Sequence, residues 1–465
     1  MPPLHDFTTW EPLLRVLRDG NERAAAGHQV AGQISRGSWS VPVRRRAPKA
    51  GRASQVEDMQ DEFDAVRRIQ DALTDTGIDG VSFTAAIAPT GTAVLRLLGP
   101  SPAVESGVGS PHPGSLLLVE GALPEPWRRL PAPVPGAAPA PTADLELLEL
   151  LERELRERMP RAVGATDEEI AAAEKRLGVA LPGELKVLYR VTRARRQDHG
   201  DDHAAAEREY DAVGCELFSL DDLYVADVAS RPCPWRFAAK EAVVTPPDAA
   251  VQGLVGSPGW IAFGDNGGGD RLAVDLTPGS GGHVGQIIML SHEENIGAGL
   301  IADSLTELVL RGPRQDRRRR ADDGPPAVAH VNFRGVPGVE AAAHPGLEVL
   351  SIGIWHDEPL SLAPVVGLPR LRTLAAYPGT LADPLEISRL TGLEYLRLCP
   401  EDWRVLLDAG AVPRTLLAAS VEPRHDADPL PVVDLANEIL ALWNRPQIIR
   451  TRVEGDLGPI SGEPG

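Results

Sequence analysis

Cysteine is scarce in this chain of 465 residues, which has only Cys215, Cys233 and Cys399. These residues lie far apart and none belongs to a C-x-x-C pair, so the sequence predicts neither a disulfide framework nor a cysteine-based zinc site. Aromatic residues make up only 4% of the chain. The hydrophobic cores are therefore expected to consist mainly of Leu, Val, Ile and Ala.

Long apolar runs are also missing. A helix that spans a bilayer needs about 20 consecutive apolar residues, and the sequence has no such run. The first twenty residues lack the basic start and apolar core of a secretory signal. We therefore expect a cytoplasmic protein that has no membrane partner.

Positive charge is in short supply, with 47 Lys and Arg against 66 Asp and Glu and a net charge of −19. An acidic surface repels phosphate, so we expect no nucleic-acid partner. The basic stretches at 44–46 and 314–320 have no interleaved aromatic residues. We interpret both as solvated loops rather than as arms that bind nucleic acid.

Catalytic motifs are not found either. The chain has no G-x-S-x-G, no H-E-x-x-H, no P-loop and no glycine fingerprint at the start of a helix. His199 and His203 lie four residues apart among aspartates, which raises a metal site as an alternative. Gly200 between them disfavours the helix that such a site needs, so a solvated loop is preferred. We predict no catalytic residue, no cofactor and no metal.

The order of patterns along the chain predicts an α+β protein of several segments. Leucine and valine at helical spacing, alternating strands, a Pro/Ala-rich stretch and a charged stretch mark the boundaries. The predicted segments are 1–54, an N-terminal helix and flexible region; 55–130, a small α+β domain; 131–143, a Pro/Ala-rich linker; 144–312, a second domain; 313–326, a charged linker; 327–445, a repeat-like segment; and 446–465, a disordered tail. Within 55–130 we expect a β-hairpin from VSFTAAI and AVLRLLG, with LLLVE at 116–120 as a third strand.

A weak repeat occurs in the segment 327–445. The pattern L-x-x-L-x-L starts at Leu347, again at Leu371 with Ala376 in its last position, and again at Leu393, which gives intervals of 24 and 22 residues. Such intervals are typical of leucine-rich repeats, in which each unit contributes one strand. The Asn or Cys that usually stands three residues after the last leucine is missing, so an unrelated α/β segment stays an alternative.

The stretch 260–290, WIAFGDNGGGDRLAVDLTPGSGGHVGQIIML, predicts a β-meander with two glycine-rich turns. Residues 271–276 alternate like a half-buried strand, with Leu272 and Val274 on the buried face and Arg271 and Asp275 on the other. The residues expected to have structural roles are Trp260, Leu272, Val274, Leu276 and Gly285.

The polar residues of this stretch are the candidates for function. Asp265, Asp270 and Asp275 suit a cation or an acid and base pair, but Asp and Asn at turn ends more often bond the backbone, and we favour that role. Partner contact is the second expectation for the acidic, turn-rich rim. The residues predicted to contact a partner are Asp265, Asn266, Asp270, Arg271, Asp275 and His283.

A tryptophan strand, a D-N-G-G-G-D turn, an L-A-V-D-L strand, a P-G turn and a G-Q-I-I strand follow one another here. This order, together with ATDEEIAAAEKRLGVALPGELKVLYRVT at 165–192, resembles the SUKH superfamily of the Smi/Knr cell-wall assembly regulator type. The resemblance covers 144–312 and implies an antiparallel meander covered by helices. It also implies a binding module rather than an enzyme, since bacterial members resemble immunity proteins and fungal members resemble regulatory scaffolds.

Charge adds to this expectation. The region 144–312 has 30 acidic against 17 basic residues, which favours encounter with a basic protein. We therefore expect a non-enzymatic module of the immunity type that neutralises a polymorphic toxin, with a basic toxin domain as its partner. An intracellular scaffold or regulator of the Smi/Knr type is the alternative, and an acidic surface that only maintains solubility is the simplest reading of the charge.

Overall fold

The structure is a computed structural model, which describes residues 3–21, 24, 27–43, 59–105, 109–133, 145–195, 203–294, 296–313, 326–424 and 426–459. The chain forms two compact units. The first unit consists of Met1–Ala122, Pro234–Arg236 and Ala329–Gly465, and the second of Leu123–Cys233 and Phe237–Val328. Along the sequence, the second unit thus interrupts the first. The predicted basic stretch 44–46, His199 and most of the two predicted linkers lie outside the described residues.

The N-terminal part of the first unit has two helices and five strands. They are α1 (Phe7–Gly20), β1 (Val30–Ser35), β2 (Trp39–Ser40), α2 (Gln60–Thr76), β3 (Gly80–Ile87), β4 (Thr92–Leu98) and β5 (Ser115–Leu117). The predicted hairpin is confirmed, because β3 and β4 pair antiparallel with Ile87 opposite Ala93. Helix α1 starts at a cap in which Asp6 accepts a hydrogen bond from the amide of Thr8, at 2.9 Å.

The middle of the chain, mostly the second unit, has helices followed by a sheet. Its elements are α3 (Glu125–Arg128), α4 (Leu145–Arg158), α5 (Asp167–Leu177), α6 (Gly183–Val191), α7 (His203–Val213), β6 (Glu216–Leu217), β7 (Tyr224–Val225), a 3-10 turn (Val228–Ser230), α8 (Trp235–Ala238), β8 (Trp260–Asp265), β9 (Arg271–Asp275), β10 (Gln286–Leu290), β11 (Gly299–Ala302) and α9 (Leu305–Arg311). The sheet order is β11-β10-β9-β8-β6, and β7 also pairs with β8.

Two helices of the second unit begin at a Thr or Ser that is followed by Glu three residues later, which is the sequence pattern of a capping box. Thr166 and Glu169 form a complete capping box, in which each side chain accepts a hydrogen bond from the other residue's amide. Ser304 accepts a hydrogen bond from the amide of Glu307 at 3.1 Å and starts α9. These caps fix where the covering helices begin above the sheet.

The C-terminal part of the first unit alternates strands with short helices. Its elements are β12 (Val328–Val331), α10 (Val339–Ala342), β13 (Val349–Ile352), a 3-10 turn (Ala363–Val365), β14 (Thr373–Ala376), a 3-10 turn (Pro384–Arg389), β15 (Tyr395–Leu398), α11 (Pro400–Asp408), β16 (Ala418–Val421), α12 (Pro429–Ala441) and β17 (Arg450–Asp456). Strands β13 to β16 are parallel neighbours, with Leu350, Leu374 and Leu396 in register. The leucines of the repeat pattern share one core.

Two predictions for the N-terminal segments need correction. The region 1–54 was expected to be flexible after its helix, but β1 is a full member of the N-terminal sheet and pairs with β3. The third strand was expected to join the hairpin, but β5 pairs with β16 of the other sheet. Its partner is about 300 residues away in sequence, and local patterns hold no information about such pairing.

The prediction of a disordered tail at 446–465 is wrong for its first half. Strand β17 pairs with β4 along its whole length and forms the edge of the five-stranded sheet β17-β4-β3-β1-β2. Val453 and Leu457 are buried in the core of that sheet. The segment RTRVEGD has a single large apolar residue, so its sequence pattern gives no sign of a strand.

Glu105 gives the first unit a pH-dependent stability. Burial raises the pKa of Glu105 to about 7, against the hydrogen bonds from the Trp235 amide and the Ser115 hydroxyl, which lower it. The pKa of Glu105 is higher in the folded state than in the unfolded state. The contribution of Glu105 to the free energy of unfolding is therefore complete below the unfolded-state pKa and is lost as the pH rises through about 7. We expect Glu105→Gln to stabilise the first unit by about 1–2 kcal/mol at pH 8, allowing for the partial exposure of the group.

The measurement is urea unfolding of the full chain and of Glu105→Gln at pH 5 and at pH 8. The variant should be distinctly more stable than the original chain at pH 8 and should show a smaller difference at pH 5. Equal unfolding midpoints of the two proteins at pH 8 would contradict the assigned role of Glu105.

In the part of the chain that the structure describes, no helix combines the length and the apolar character that crossing a membrane requires.

Candidate protein-binding site

The predicted meander is confirmed in strands β8, β9 and β10. Trp260 lies opposite Asp275 and Asp265 lies opposite Arg271 in the antiparallel pair β8 and β9. Strand β10 continues the sheet, with Gln286 opposite Asp275. The turn at 266–270 therefore lies at one end of β9, and the turn at 276–285 lies at the other.

Strand β9 is buried on both faces, which corrects the prediction of a half-buried strand. Leu272 and Val274 pack in the core beneath the helices, as expected. Ala273, on the other face, packs with Trp260 and with Leu254, a residue of the segment that covers this side of the sheet. That covering segment has little secondary structure, so the periodicity of the sequence does not reveal it.

Asp275 was predicted to contact a partner, and this prediction is wrong because its side chain is 0% exposed. One carboxylate oxygen accepts hydrogen bonds from the indole of Trp260 at 3.0 Å and the amide of Thr277 at 2.8 Å. The other oxygen accepts from the Gln286 side chain at 2.8 Å. Burial raises the pKa of Asp275, whereas these bonds lower it. Asp275 thus links three strands and belongs to the sheet rather than to a contact surface.

The polar residues of the first turn bond to the turn itself. Asp265 accepts a hydrogen bond from the amide of Gly267 at 2.6 Å, and Asn266 accepts from the amides of Gly268 and Asp270 at 2.8 and 3.1 Å. The Asn266 side chain also donates to Asp270 at 2.8 Å. These contacts support the prediction that Asp265 and Asp270 serve the structure of the turn rather than acid and base chemistry.

Two side chains, Arg271 and His292, hold the same turn from its sides. Arg271 forms an ion pair with Asp265, and its guanidinium lies 5.7 Å from the centre of the Phe218 ring. Asp270 accepts from the amide and the ring Nδ1 of His292, at 2.9 and 2.8 Å. Hydrogen bonding from the His292 amide, followed by that from its ring and from Asn266, keeps the pKa of Asp270 below its usual value despite partial burial. The turn is therefore rigid before any partner arrives.

His283 lies in the second turn and is separated from the predicted acidic group by the length of β9. Its ring nitrogen bonds to the carbonyl of Asp303. Gly285 has the positive φ, 96°, that its structural role requires. A Cβ on Gly282 would collide with the carbonyl oxygen of Ala250. This turn is packed against the covering segment, so the predicted contact set divides between two ends of the sheet.

Other exposed residues surround the first turn and were not identified from the sequence. The hydroxyl of Tyr210 donates to the carbonyl of Asn266 at 3.1 Å, and the ring is 40% exposed. Glu216 lies opposite Asp265 in the sheet, and two exposed glutamates follow His292. We call this surface the acidic tip, and its residues are Tyr210, Glu216, Gly267, Gly268, Glu293 and Glu294.

The acidic tip combines residues from three separate stretches of sequence. The side chains of Glu216, Glu293 and Glu294 are exposed. Tyr210, whose hydroxyl bonds to the first turn, is of a residue type enriched at binding hot spots. These stretches meet only in the folded protein, so the sequence alone does not reveal that their residues form one surface. Among the described residues, no cluster of three His, Cys, Asp or Glu side chains is arranged to hold a metal ion.

Comparison with known proteins agrees with the geometry. The model of the SMI1 / KNR4 family (SUKH-1) matches residues 164–311. A glucan synthesis regulatory protein of Neurospora crassa is 39% identical over 67 residues, which cover 14% of this chain and 13% of that protein. The chain therefore spans only a small part of that relative's length.

Proposed function

We propose that this chain, whose residues 164–311 match the model of the SMI1 / KNR4 family (SUKH-1), is a non-enzymatic binding protein of the immunity type. It acts in the cytoplasm by forming a complex with a basic toxin domain and thereby blocking it. The family itself is one of regulators and immunity proteins. The observation that supports this proposal most directly is the acidic tip. It is exposed, it is built on a rigid turn, and its negative charge is complementary to a basic partner.

Rigidity makes this tip suitable for tight binding. Hydrogen bonds accepted by the side-chain oxygens of Asp265, Asn266 and Asp270 order the turn in the free protein. A partner then meets a surface whose conformational entropy has already been lost, so less of the binding free energy is spent on ordering. The exposed carboxylates also steer a basic protein toward the tip. Asp265, Asn266, Asp270 and Arg271 serve as the frame of the contact surface in this proposal.

The C-terminal strands have a supporting role in this proposal. Strands β13 to β16 begin 22 to 24 residues apart, in parallel register and with their leucines buried. We infer that they form a short leucine-rich-repeat-like array, which adds a second surface to the protein.

Charge reversal at the tip tests the proposed function. The protein encoded directly upstream is expressed alone and together with this chain, and colony formation is counted. We expect that protein to be toxic and this chain to restore growth. Glu293→Arg with Glu294→Arg should reduce the protection at least tenfold, because like charges then face the basic partner.

The matched control is Glu149→Arg with Glu157→Arg, which changes the same number of exposed glutamates on α4. This variant should protect as well as the original chain. The proposal fails if the upstream protein is harmless, or if both double variants protect equally well.

A regulator of the Smi/Knr type is the second candidate, and the similarity to a glucan synthesis regulatory protein favours it. In that case, the upstream protein is not toxic, and deletion of the gene changes the polysaccharide content of the cell wall. Re-expression of the chain with the reversed tip should then fail to restore the original content.

A further inference from the structure

Strand β17 (Arg450–Asp456) forms one edge of the five-stranded sheet in the first unit. It pairs with β4 on one side, and on its other side it has no neighbouring strand among the described residues. The free N–H and C=O groups of such an edge are able to pair with a strand of another chain. The residues of β17 therefore decide which strand fits beside it.

The backbone of β17 directs alternate residues toward this open side. The amide of Gly99 donates to the carbonyl of Ile449 at 2.8 Å, and the amide of Leu457 donates to the carbonyl of Gly91 at 2.9 Å. Because the residues that bond across an antiparallel ladder alternate along each strand, the odd-numbered residues from 449 to 457 bond to β4. The even-numbered residues between them direct their N–H and C=O groups away from β4.

The same even-numbered residues carry the charges of the strand. They are Arg450, Arg452, Glu454 and Asp456, and all four are exposed, whereas Val453 at the centre is buried in the core. The first half of the strand is thus basic and the second half is acidic. Charges of one sign along an edge repel a second copy in every register. This order of signs instead permits one register and opposes the others.

The permitted register is antiparallel pairing of β17 with β17 of a second copy, centred on Val453. Arg452 of each copy then lies opposite Glu454 of the other copy, and Arg450 and Asp456 face each other in the same way. A shift by two residues places Arg452 opposite Arg452 or Glu454 opposite Glu454, and like charges in such positions are destabilising. A shift by one residue sets the outward backbone groups against groups that already bond to β4. The sequence of β17 is therefore complementary to itself in a single register.

A neighbour in the same sheet adds to this preference. Arg452 lies directly opposite Arg96 of β4, and two like charges in this position repel each other. Arg450 and Arg452 have exposed ion-pair partners in their own chain, Asp434 and Glu454, and such pairs contribute little to stability. A carboxylate of a second copy places negative charge on the open side of Arg452, with the facing Cβ atoms about 5 Å apart. It thereby offsets the repulsion within the sheet.

We propose that this chain forms a symmetric dimer through β17, in which the strands of two copies pair antiparallel around Val453. The two five-stranded sheets then become one sheet with five strands from each copy. The facing pairs exchange about eight backbone hydrogen bonds. The net charge of −19 opposes association, but this repulsion decays over about 8 Å at physiological ionic strength, and the facing charges lie closer than that. The contact belongs to the first unit and does not involve the acidic tip.

Sedimentation velocity of the full chain over a range of concentrations tests the dimer. We expect a species with twice the mass of the chain, which dissociates on dilution. Arg452→Glu sets two glutamates face to face at two positions of the dimer and should weaken the dimer at least tenfold, and Glu454→Arg should do the same with arginines. The matched control, Arg404→Glu, reverses another exposed arginine of the first unit. This control should dimerise like the original chain.

Two combinations of the same substitutions test the register. Arg452→Glu with Glu454→Arg in one chain keeps the original composition and restores opposite charges in every facing pair, so this double variant should dimerise like the original chain. A mixture of the two single variants should form a heterodimer at concentrations where neither variant forms a homodimer, because its central pairs again have opposite charges. The replaced side chains are exposed, and circular dichroism checks that the variants fold.

The proposal is overturned by any of three results. The original chain sediments as a monomer at every concentration, Arg452→Glu dimerises as tightly as Arg404→Glu does, or the mixture of the two single variants stays monomeric. The second result would place the contact between two copies elsewhere on the chain. A chain that forms this dimer but does not protect against the upstream protein would overturn only the function assigned to the acidic tip.

Discussion

Replacing Trp260 with alanine is expected to lower the free energy of unfolding of the second unit by about 3–5 kcal/mol. The indole is 0% exposed and packs against Ala273 and Ile288 in the core between the sheet and its covering segment. Its removal leaves a large cavity and also deprives the buried Asp275 of a hydrogen-bond donor. A buried carboxylate that has lost this donor lowers the free energy of unfolding further.

Trp260→Phe separates the two contributions. Phenylalanine retains much of the apolar volume but cannot donate to Asp275, so its cost should be about 1–3 kcal/mol and clearly below that of alanine. Hydrogen exchange measured by mass spectrometry on peptides from 260–290 reports on this unit alone. Unchanged protection of those peptides in Trp260→Ala would show that the indole does not support the core.

Removal of residues 446–465 is expected to destabilise the first unit by about 3–6 kcal/mol. This truncation deletes β17, with the buried side chains of Ile448, Val453 and Leu457. It also removes two carbonyl groups that accept from α1, since Arg15 donates to Leu457 at 2.9 Å and Arg18 donates to Gly458 at 3.0 Å. Strand β4 then becomes an unpaired edge, which promotes aggregation.

A shorter truncation provides the control. Removal of 460–465 leaves the whole of β17 and both carbonyl acceptors in place, so the first unit should melt as in the original chain. Thermal unfolding and static light scattering distinguish the two truncated proteins. Equal melting temperatures for both would mean that β17 adds nothing to the sheet.

The sequence predicts those elements whose own residues determine them. The meander follows from alternation and from glycine turns at 260–290, and two helix starts follow from Thr166 with Glu169 and from Ser304 with Glu307. The structural role of Asp265 and Asp270 follows from the tendency of Asp side chains at turns to bond to nearby backbone amides. Each of these features depends on contacts between residues that are close in sequence.

Features that depend on distant residues could not be predicted in the same way. The burial of Asp275 results from a covering segment that includes Leu254, and that segment has no regular pattern. The pairing of β17 with β4 stabilises a strand with little apolar character. The acidic tip combines Tyr210 with Glu293 only after folding. In each case, tertiary contacts override or supplement a local preference.

The pairing of β4 with β17 also determines the order in which the units are completed during synthesis. Roughly 350 residues separate the two strands, and a ribosome that adds about 5–20 residues per second needs about 20–70 s to make them. During that time, β4 has emerged but lacks its neighbour, while the whole second unit is synthesised and can fold. Incomplete chains that end before β17 therefore combine a folded second unit with an open sheet edge, which makes them natural substrates for chaperones and proteases.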